Sequence, residues 1–357
     1  MLDQSRNHAR NPSRKRFSFR FSCSFVLGVL IIVSGASGAV AASGSTRAAA
    51  AVVPFTSMPE GQIIVPLYID GAGPLRFLVD TGSSRSAIGE AEAARLALPL
   101  VAQTELVTAT GSEMRPVARL TNLTVGRARA QALLAPTLSD ASVRRLGPGV
   151  VGVLGQDFLS RFNYTIDYRH NRLVWHDEEP VGDEADRGVD QRDQGQDHSE
   201  RQNQDQGQVQ GQGQGQGQRQ ESRLVRLALR ESEGRFLIDL PQNAGERAPA
   251  RFVPDSAADG LVLFNRPGTN QLLSDTAAER GQLVTLGGAR AGRLVVLKRL
   301  LIGAAAVWNQ PAIVLIDDAD GNPGAPEAPE GDGLLPLSLF ASVTFNNRDG
   351  YLLVEPR

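Results

Sequence analysis

Two stretches of this chain place a carboxylate where an apolar strand runs out. In the first, Phe77-Leu78-Val79-Asp80-Thr81-Gly82-Ser83-Ser84, the run from Leu75 to Val79 has the length and apolar content of a buried strand. It ends in Asp80, and a carboxylate there is costly unless hydroxyls and backbone N–H groups satisfy it. Thr81, Ser83 and Ser84 can supply hydroxyls, and Gly82 lets the chain turn tightly. Taken alone, the stretch also reads as a strand ending in an ordinary Asp-Thr-Gly turn. The second stretch, Arg251-Phe252-Val253-Pro254-Asp255-Ser256-Ala257-Ala258, repeats the pattern in altered form.

Other chemistries have few residues to draw on. The single cysteine, Cys23, precedes an apolar run, and a chain cut after that run would have neither thiol nor disulfide. Of the four histidines, His8 lies in the basic N-terminus and His198 in a polar tract, while His170 and His176 flank an expected hairpin as surface residues. No metal site and no cofactor are expected, and serine-type catalysis lacks its base.

The chain has 357 residues, 41% of them apolar, enough for two domains with real cores, and its net charge of −2 argues against nucleic acid as a partner. Residues 1–20 carry Arg6, Arg10, Arg14, Lys15, Arg16 and Arg20, and 21–42 are apolar or small, ending in Ala39-Val40-Ala41-Ala42. That is the layout of an export signal over 1–42, cleaved near Ala41 or Ala42, or retained as a membrane anchor. Either way the remainder is expected outside the cytoplasm, periplasmic or secreted, with membrane contact only if the segment is kept.

Strand signals fill 52–178: 62–69 with Pro66 suggesting a sheet edge, the strand into Asp80, then 105–110, 114–120, 123–125 and 130–134, with a short helix over 90–98. A segment Gly149-Val150-Val151-Gly152-Val153-Leu154-Gly155 follows, and a hairpin about residues 169–171 closes the unit. Residues 179–222 differ in kind, since Gln-Gly alternation leaves almost nothing apolar to bury, and a disordered linker is expected. Strand character resumes in 223–357.

The two halves match by offset from their aspartates. Gly111 follows Asp80 by 31 residues and Gly287 follows Asp255 by 32. Leu120-x-x-Leu123-x-Val125-Gly126 matches Leu297-x-x-Leu300-x-Ile302-Gly303, and Gly152-Val153-Leu154 matches Gly333-Leu334-Leu335. Thr165-Ile166-Asp167 and Leu173-Val174 match Thr344-Phe345-Asn346 and Leu352-Leu353. Five matches in order indicate an internal duplication.

The Asp-Thr-Gly-Ser loop after a hydrophobic strand resembles the active-site loop of aspartic proteases, and Val153-Leu154-Gly155 resembles the segment that passes beneath that loop. With two such units the chain is most similar to bacterial aspartyl proteases of the retropepsin-like and pepsin-like class. The resemblance implies an all-β protein of two closed β-barrel lobes with short helices, joined by the linker, the second lobe degenerate. It implies an endopeptidase in which Asp80 and Asp255 share a proton and activate a water against a peptide carbonyl. Thr81 and Ser256 would then bond to the opposite loop, with Gly82, Ser83 and Ala257 supporting it. Ser83 would donate to Asp80 while Ala258 cannot do so for Asp255, making Asp255 the protonated member. Gly111, Gly287 and Gly288 would lie at flap tips. Substrates would be peptides or proteins, cut by a monomer.

The second lobe departs from the family pattern at Ala257 and Pro336, each in place of a glycine, and at Pro254 before the aspartate. Two alternatives follow: a homodimeric enzyme pairing first lobes, Asp80 against Asp80, or a non-catalytic extracytoplasmic peptide-binding protein of protease ancestry.

Overall fold

The computed structural model describes residues 21–22, 51–108, 111–176, 224–242, 249–266, 269, 272–273, 279–315 and 330–357. The expected export signal (except 21–22), the expected linker and the first hairpin tip lie outside these residues.

Strands dominate. The first lobe's sheet runs in the order Thr56–Ser57, Ile63–Ile69, Ala72–Val79, Val150–Leu154, Ala87–Gly89, Ala128–Leu138, Gly111–Val125, Leu100–Thr108. Ile63–Ile69 also pairs with Gly111–Val125 through Tyr68 and Ile69, closing a ring of strands. The second lobe repeats this order strand for strand: Arg230–Ser232, Arg235–Leu240, Ala250–Asp255, Gly333–Pro336, Leu261–Leu263, Ala305–Leu315, Gly288–Ile302, Glu279–Thr285, with Phe21–Ser22 parallel at the outer edge. Among the described residues no such pairing occurs in the second sheet.

A third sheet joins the lobes, with three strands from each: Ala51–Pro54, Arg172–His176 and Asn163–Asp167 from the first, Phe340–Asn346, Tyr351–Pro356 and Val225–Ala228 from the second. At its centre Thr165 lies opposite Thr344 and their hydroxyls are 2.7 Å apart. These two residues hold equivalent places in the repeat, so an approximate twofold axis passes between them. Tyr164 stacks on Phe345 beside it, ring centroids 4.8 Å apart.

Burial explains the strand into the first aspartate. Leu75 is buried and Arg76 exposed, as a half-covered strand requires, but Phe77, Leu78 and Val79 are buried in succession because neighbours cover both faces. Two glycines mark the close approach of the neighbouring strand. A Cβ at Gly152 would fall 2.3 Å from Cε1 of Phe77, and one at Gly333 only 2.1 Å from the carbonyl oxygen of Val262 and 3.0 Å from Cε1 of Phe252.

Some expectations need correction. Pro66 is not on a sheet edge: its strand pairs with Ala72–Val79 on one side, and on the other Pro66 falls in the gap between the pairings of residues 63–64 and 68–69. A missing N–H costs little there. The pieces read at 114–120 and 123–125 form one strand, Gly111–Val125. The helix expected over 90–98 spans only Glu90–Arg95, and the helices Asp140–Leu146 and Gln156–Leu159 carry too little pattern to be seen in the sequence.

Candidate active site

Asp80 and Asp255 each lie at the end of a strand paired in parallel with its under-loop strand, Val79 opposite Leu154 and Asp255 opposite Pro336. Both are fully buried. The two loops meet through a reciprocal exchange. The Thr81 hydroxyl donates to the Pro254 carbonyl at 2.7 Å and accepts from the Ser256 N–H at 3.0 Å. The Ser256 hydroxyl donates to the Val79 carbonyl at 2.7 Å and accepts from the Thr81 N–H at 3.1 Å. Each hydroxyl thus acts once as donor and once as acceptor, as Ser and Thr allow.

The loops hold their carboxylates alike. The Gly82 N–H donates to Oδ1 of Asp80 at 2.9 Å, and the Ala257 and Ala258 N–H groups donate to Oδ1 of Asp255 at 2.8 and 3.0 Å. In both aspartates Oδ2 is buried with no protein hydrogen-bond partner. Gly82 packs directly on Asp255: a Cβ there would stand 2.8 Å from both Cγ and Oδ2. Ala257, its counterpart, is fully buried and turns into an apolar cluster made mostly by the first lobe.

Burial raises both carboxyl groups above the ordinary carboxylate range, Asp80 well above it and Asp255 to about 7. The charge of Asp255 adds to the rise at Asp80, while the N–H groups of Gly82 and Ser83 and the charge of Arg235 oppose it. The N–H groups of Ala257 and Ala258 do the same for Asp255. The Ser83 hydroxyl does not reach Asp80; it donates to the Arg85 carbonyl at 2.8 Å. The expected asymmetry, with Asp255 as the protonated member, therefore loses its basis. One backbone N–H donates to the Asp80 carboxylate and two to that of Asp255, and a proton bound here belongs to the pair.

Val153, Leu154 and Gly155 lie beneath the first loop. The Leu154 carbonyl accepts from the Asp80 N–H at 3.0 Å, and the Gly155 N–H donates to the Ser86 hydroxyl at 3.0 Å. A Cβ at Gly155 would be 2.4 Å from the Arg85 carbonyl group. Pro336 takes the equivalent place in the second lobe. Gly111 begins the return strand of the first flap-like hairpin. Gly287 is exposed at the tip of the second, and Gly288 opens its return strand.

Several supporting residues were not apparent from the sequence. The Gln156 side chain donates to the Thr81 carbonyl at 2.8 Å, and the Gln62 side chain donates across the lobes to the Ala257 carbonyl at 3.1 Å. Asp157 accepts from the Ser86 hydroxyl and N–H at 2.6 and 2.8 Å. Arg235, equivalent by strand register to Gln62, is 4% exposed and pairs with Glu233 at 3.0 Å. The one signal for Gln156 was its place directly after Gly155. Nothing local marks Gln62 or Arg235. Among the described residues no cluster of His, Cys, Asp and Glu could hold a metal ion.

This fold and paired-loop site are those of an acid-protease-like protein. Residues 65–158, within the first lobe, match the family described as aspartyl protease. Among solved structures, the chain is similar to a retropepsin-like aspartic protease from Rickettsia conorii, at 17% identity over 44% of this chain and 95% of that one, with a TM-score of 0.27. No curated protein matches the chain.

Proposed function

We propose that the chain is a single-chain aspartic endopeptidase whose catalytic pair is Asp80 and Asp255. The observation that carries this reading is the four-bond exchange between Thr81 and Ser256, which holds two buried carboxylates in one site, each with an unpartnered Oδ2. With one proton between them, the ionised member takes a proton from a water, which attacks the peptide carbonyl. The protonated member donates to the carbonyl oxygen; as the C–N bond breaks it takes that proton back, and the first member passes the water's proton to the departing amine nitrogen. No covalent intermediate forms. The Gln62 and Gln156 amides keep the loops from shifting as the proton moves.

The six-stranded sheet, with three strands from each lobe of one chain, supports one chain with two aspartates over Asp80 against Asp80. The basic and apolar residues of 1–42 make the setting extracytoplasmic in this proposal. The test is cleavage of a mixed peptide library across pH 3 to 8 by wild type, Asp80→Asn and Asp255→Asn. Loss in both variants supports the dyad. Retained activity in Asp255→Asn refutes it, and peptide binding without cleavage by wild type identifies a binding protein.

A further inference from the structure

The repeat makes two equivalent seams between the lobes. In each, the tip of the hairpin that opens one lobe faces the helix that follows the under-loop strand of the other. In one seam the two elements touch: a Cβ at Gly61 would fall 2.5 Å from Cβ of Ser338, on the short helix Leu337–Leu339. Gly234 and Asp157 hold the same places in the other seam, but a Cβ at Gly234 would meet only the Ser84 side chain, at 3.3 Å. The hairpin stands off the helix Gln156–Leu159 there and leaves a cavity of about 340 Å³. Its wall carries Arg85 and Asp157 from the first lobe and Glu231, Glu233 and Phe236 from the second. Glu231 lies opposite Phe236 in the hairpin register, so a carboxylate and an aromatic ring share one face.

Two hydrogen-bond acceptors of this wall lack donors. Gln156 is 2% exposed, and its Oε1 is buried with no hydrogen-bond partner among the described residues; the same holds for Oδ2 of Asp157. Burial raises the Asp157 carboxyl above the ordinary range, and the bonds from Ser86 and the charges of Arg85 and Arg161 oppose the rise. Arg85 nevertheless makes no hydrogen bond to Oδ2.

We infer that this seam is a binding site for an organic cation, a guanidinium or primary ammonium group on a short alkyl chain, which enters between Glu231 and Asp157 and lies against Phe236. Three carboxylates against one guanidinium leave the lining negative. Acceptors without donors suit the N–H groups of such a cation, and the face of an aromatic ring attracts its charge. The volume falls in the range of small-molecule sites, roughly 300–1,000 Å³. A cation shared by Asp157 and Glu231 would tie the first lobe to the second. Neither Asp80 nor Asp255 lines the cavity, so the inference stands apart from the endopeptidase reading.

The test is calorimetric titration of the full chain with n-butylguanidinium, n-butylammonium and the neutral n-butylurea. Both cations are expected to bind saturably and about tenfold or more tighter than the urea, the scale of one charge-assisted hydrogen bond. Glu231→Gln and Asp157→Asn are each expected to weaken the cations about tenfold, while Ser338→Ala, in the closed seam, leaves them unchanged. Asp157→Asn also disturbs the bonds from Ser86, so Glu231→Gln, an exposed position, is the deciding variant. The peptide acetyl-Ala-Arg-Ala-amide, titrated into Asp80→Asn to prevent cleavage, separates two sources of the cation. Displacement of n-butylguanidinium by the peptide supports the site as one for a basic side chain of a polypeptide; binding of the small cations alone supports it as one for a free organic cation. No saturable binding, equal affinity for n-butylguanidinium and n-butylurea, or cation affinity unchanged in Glu231→Gln overturns the site.

Discussion

The hydroxyls of Thr81 and Ser256 each donate to the carbonyl of the residue preceding the opposite aspartate, Pro254 and Val79, at the same distance of 2.7 Å. Neither lobe can set its carboxylate without the other. Ser256→Ala leaves the Val79 carbonyl and the Thr81 N–H without that partner in a buried site, at a cost of about 1–3 kcal/mol for each group. The expected result is a lower denaturant midpoint and at least a tenfold loss in kcat, with Ser256→Thr recovering most of both. Urea titrations beside peptide-cleavage rates decide it, and an unaffected kcat in Ser256→Ala would remove the exchange from the account of the site.

Gly82 and Ala257 hold equivalent places but unequal space. A methyl at Gly82 would press on Cγ and Oδ2 of Asp255 at 2.8 Å, with no flexible side chain to give way. Gly82→Ala should therefore lower stability by about 1–3 kcal/mol and reduce kcat/KM at least a hundredfold. Ala257→Gly removes only a methyl from an apolar cluster, a loss of about 1 kcal/mol, and should leave kcat within a few fold of wild type. If the two substitutions had equal effects, the departure at Ala257 would be a mark of decay rather than an accommodated change.

The duplication was legible because close packing preserves its markers. Gly152 and Gly333 have no room for a Cβ beside Phe77 and Val262. Gly126 and Gly303 turn their hairpins with the same φ of +58°. The reciprocal bonds of Thr81 and Ser256 followed from the resemblance, since residue type and place are enough to define them. What escaped the sequence depends on distant contacts. Gln62 and Ala257 are 195 residues apart, and Ser142 and Leu286 are 144 apart. The long strand Gly111–Val125 was split because Thr121 and Asn122 look like a break; their N–H groups instead bond to Asp70, so the strand continues. Ser83 was misassigned because residue type cannot say which acceptor a hydroxyl selects, and Arg85 offers a carbonyl within reach.

Burial of the pair makes stability depend on pH. A carboxyl whose pKa is raised on folding binds more protons folded than unfolded between its two values, so stability falls as pH rises through that window. For Asp255 the window runs from the ordinary 3.8 to about 7. Asp255→Asn, which has no charge to bury, should be more stable than wild type at pH 8, by on the order of 1–3 kcal/mol, and show little advantage at pH 4. Melting temperatures of both proteins from pH 4 to 8 test this. A constant difference across that range would show that Asp255 is not held as a buried acid.

Arg235 gives the pair a second lever. It is buried, and its positive charge favours the ionised form of Asp80. Arg235→Gln removes that charge while keeping a polar side chain of similar reach, so the last proton of the pair should be held to higher pH. In wild type kcat/KM is expected to decline on the alkaline side where the pair gives up its last proton, which burial and the charge of the other carboxylate hold above the ordinary carboxylate range. In Arg235→Gln that alkaline limb should move upward by roughly half a unit to one unit, the scale of one nearby charge partly screened. Glu233→Gln removes the neutralising partner of Arg235, an exposed carboxylate 3.0 Å from it, and should move the limb slightly the other way. Opposite displacements in the two variants would show that the buried guanidinium acts on the pair through its charge. A fall in rate at every pH with the limb unmoved would show that Arg235 serves only to pack the hairpin that carries it.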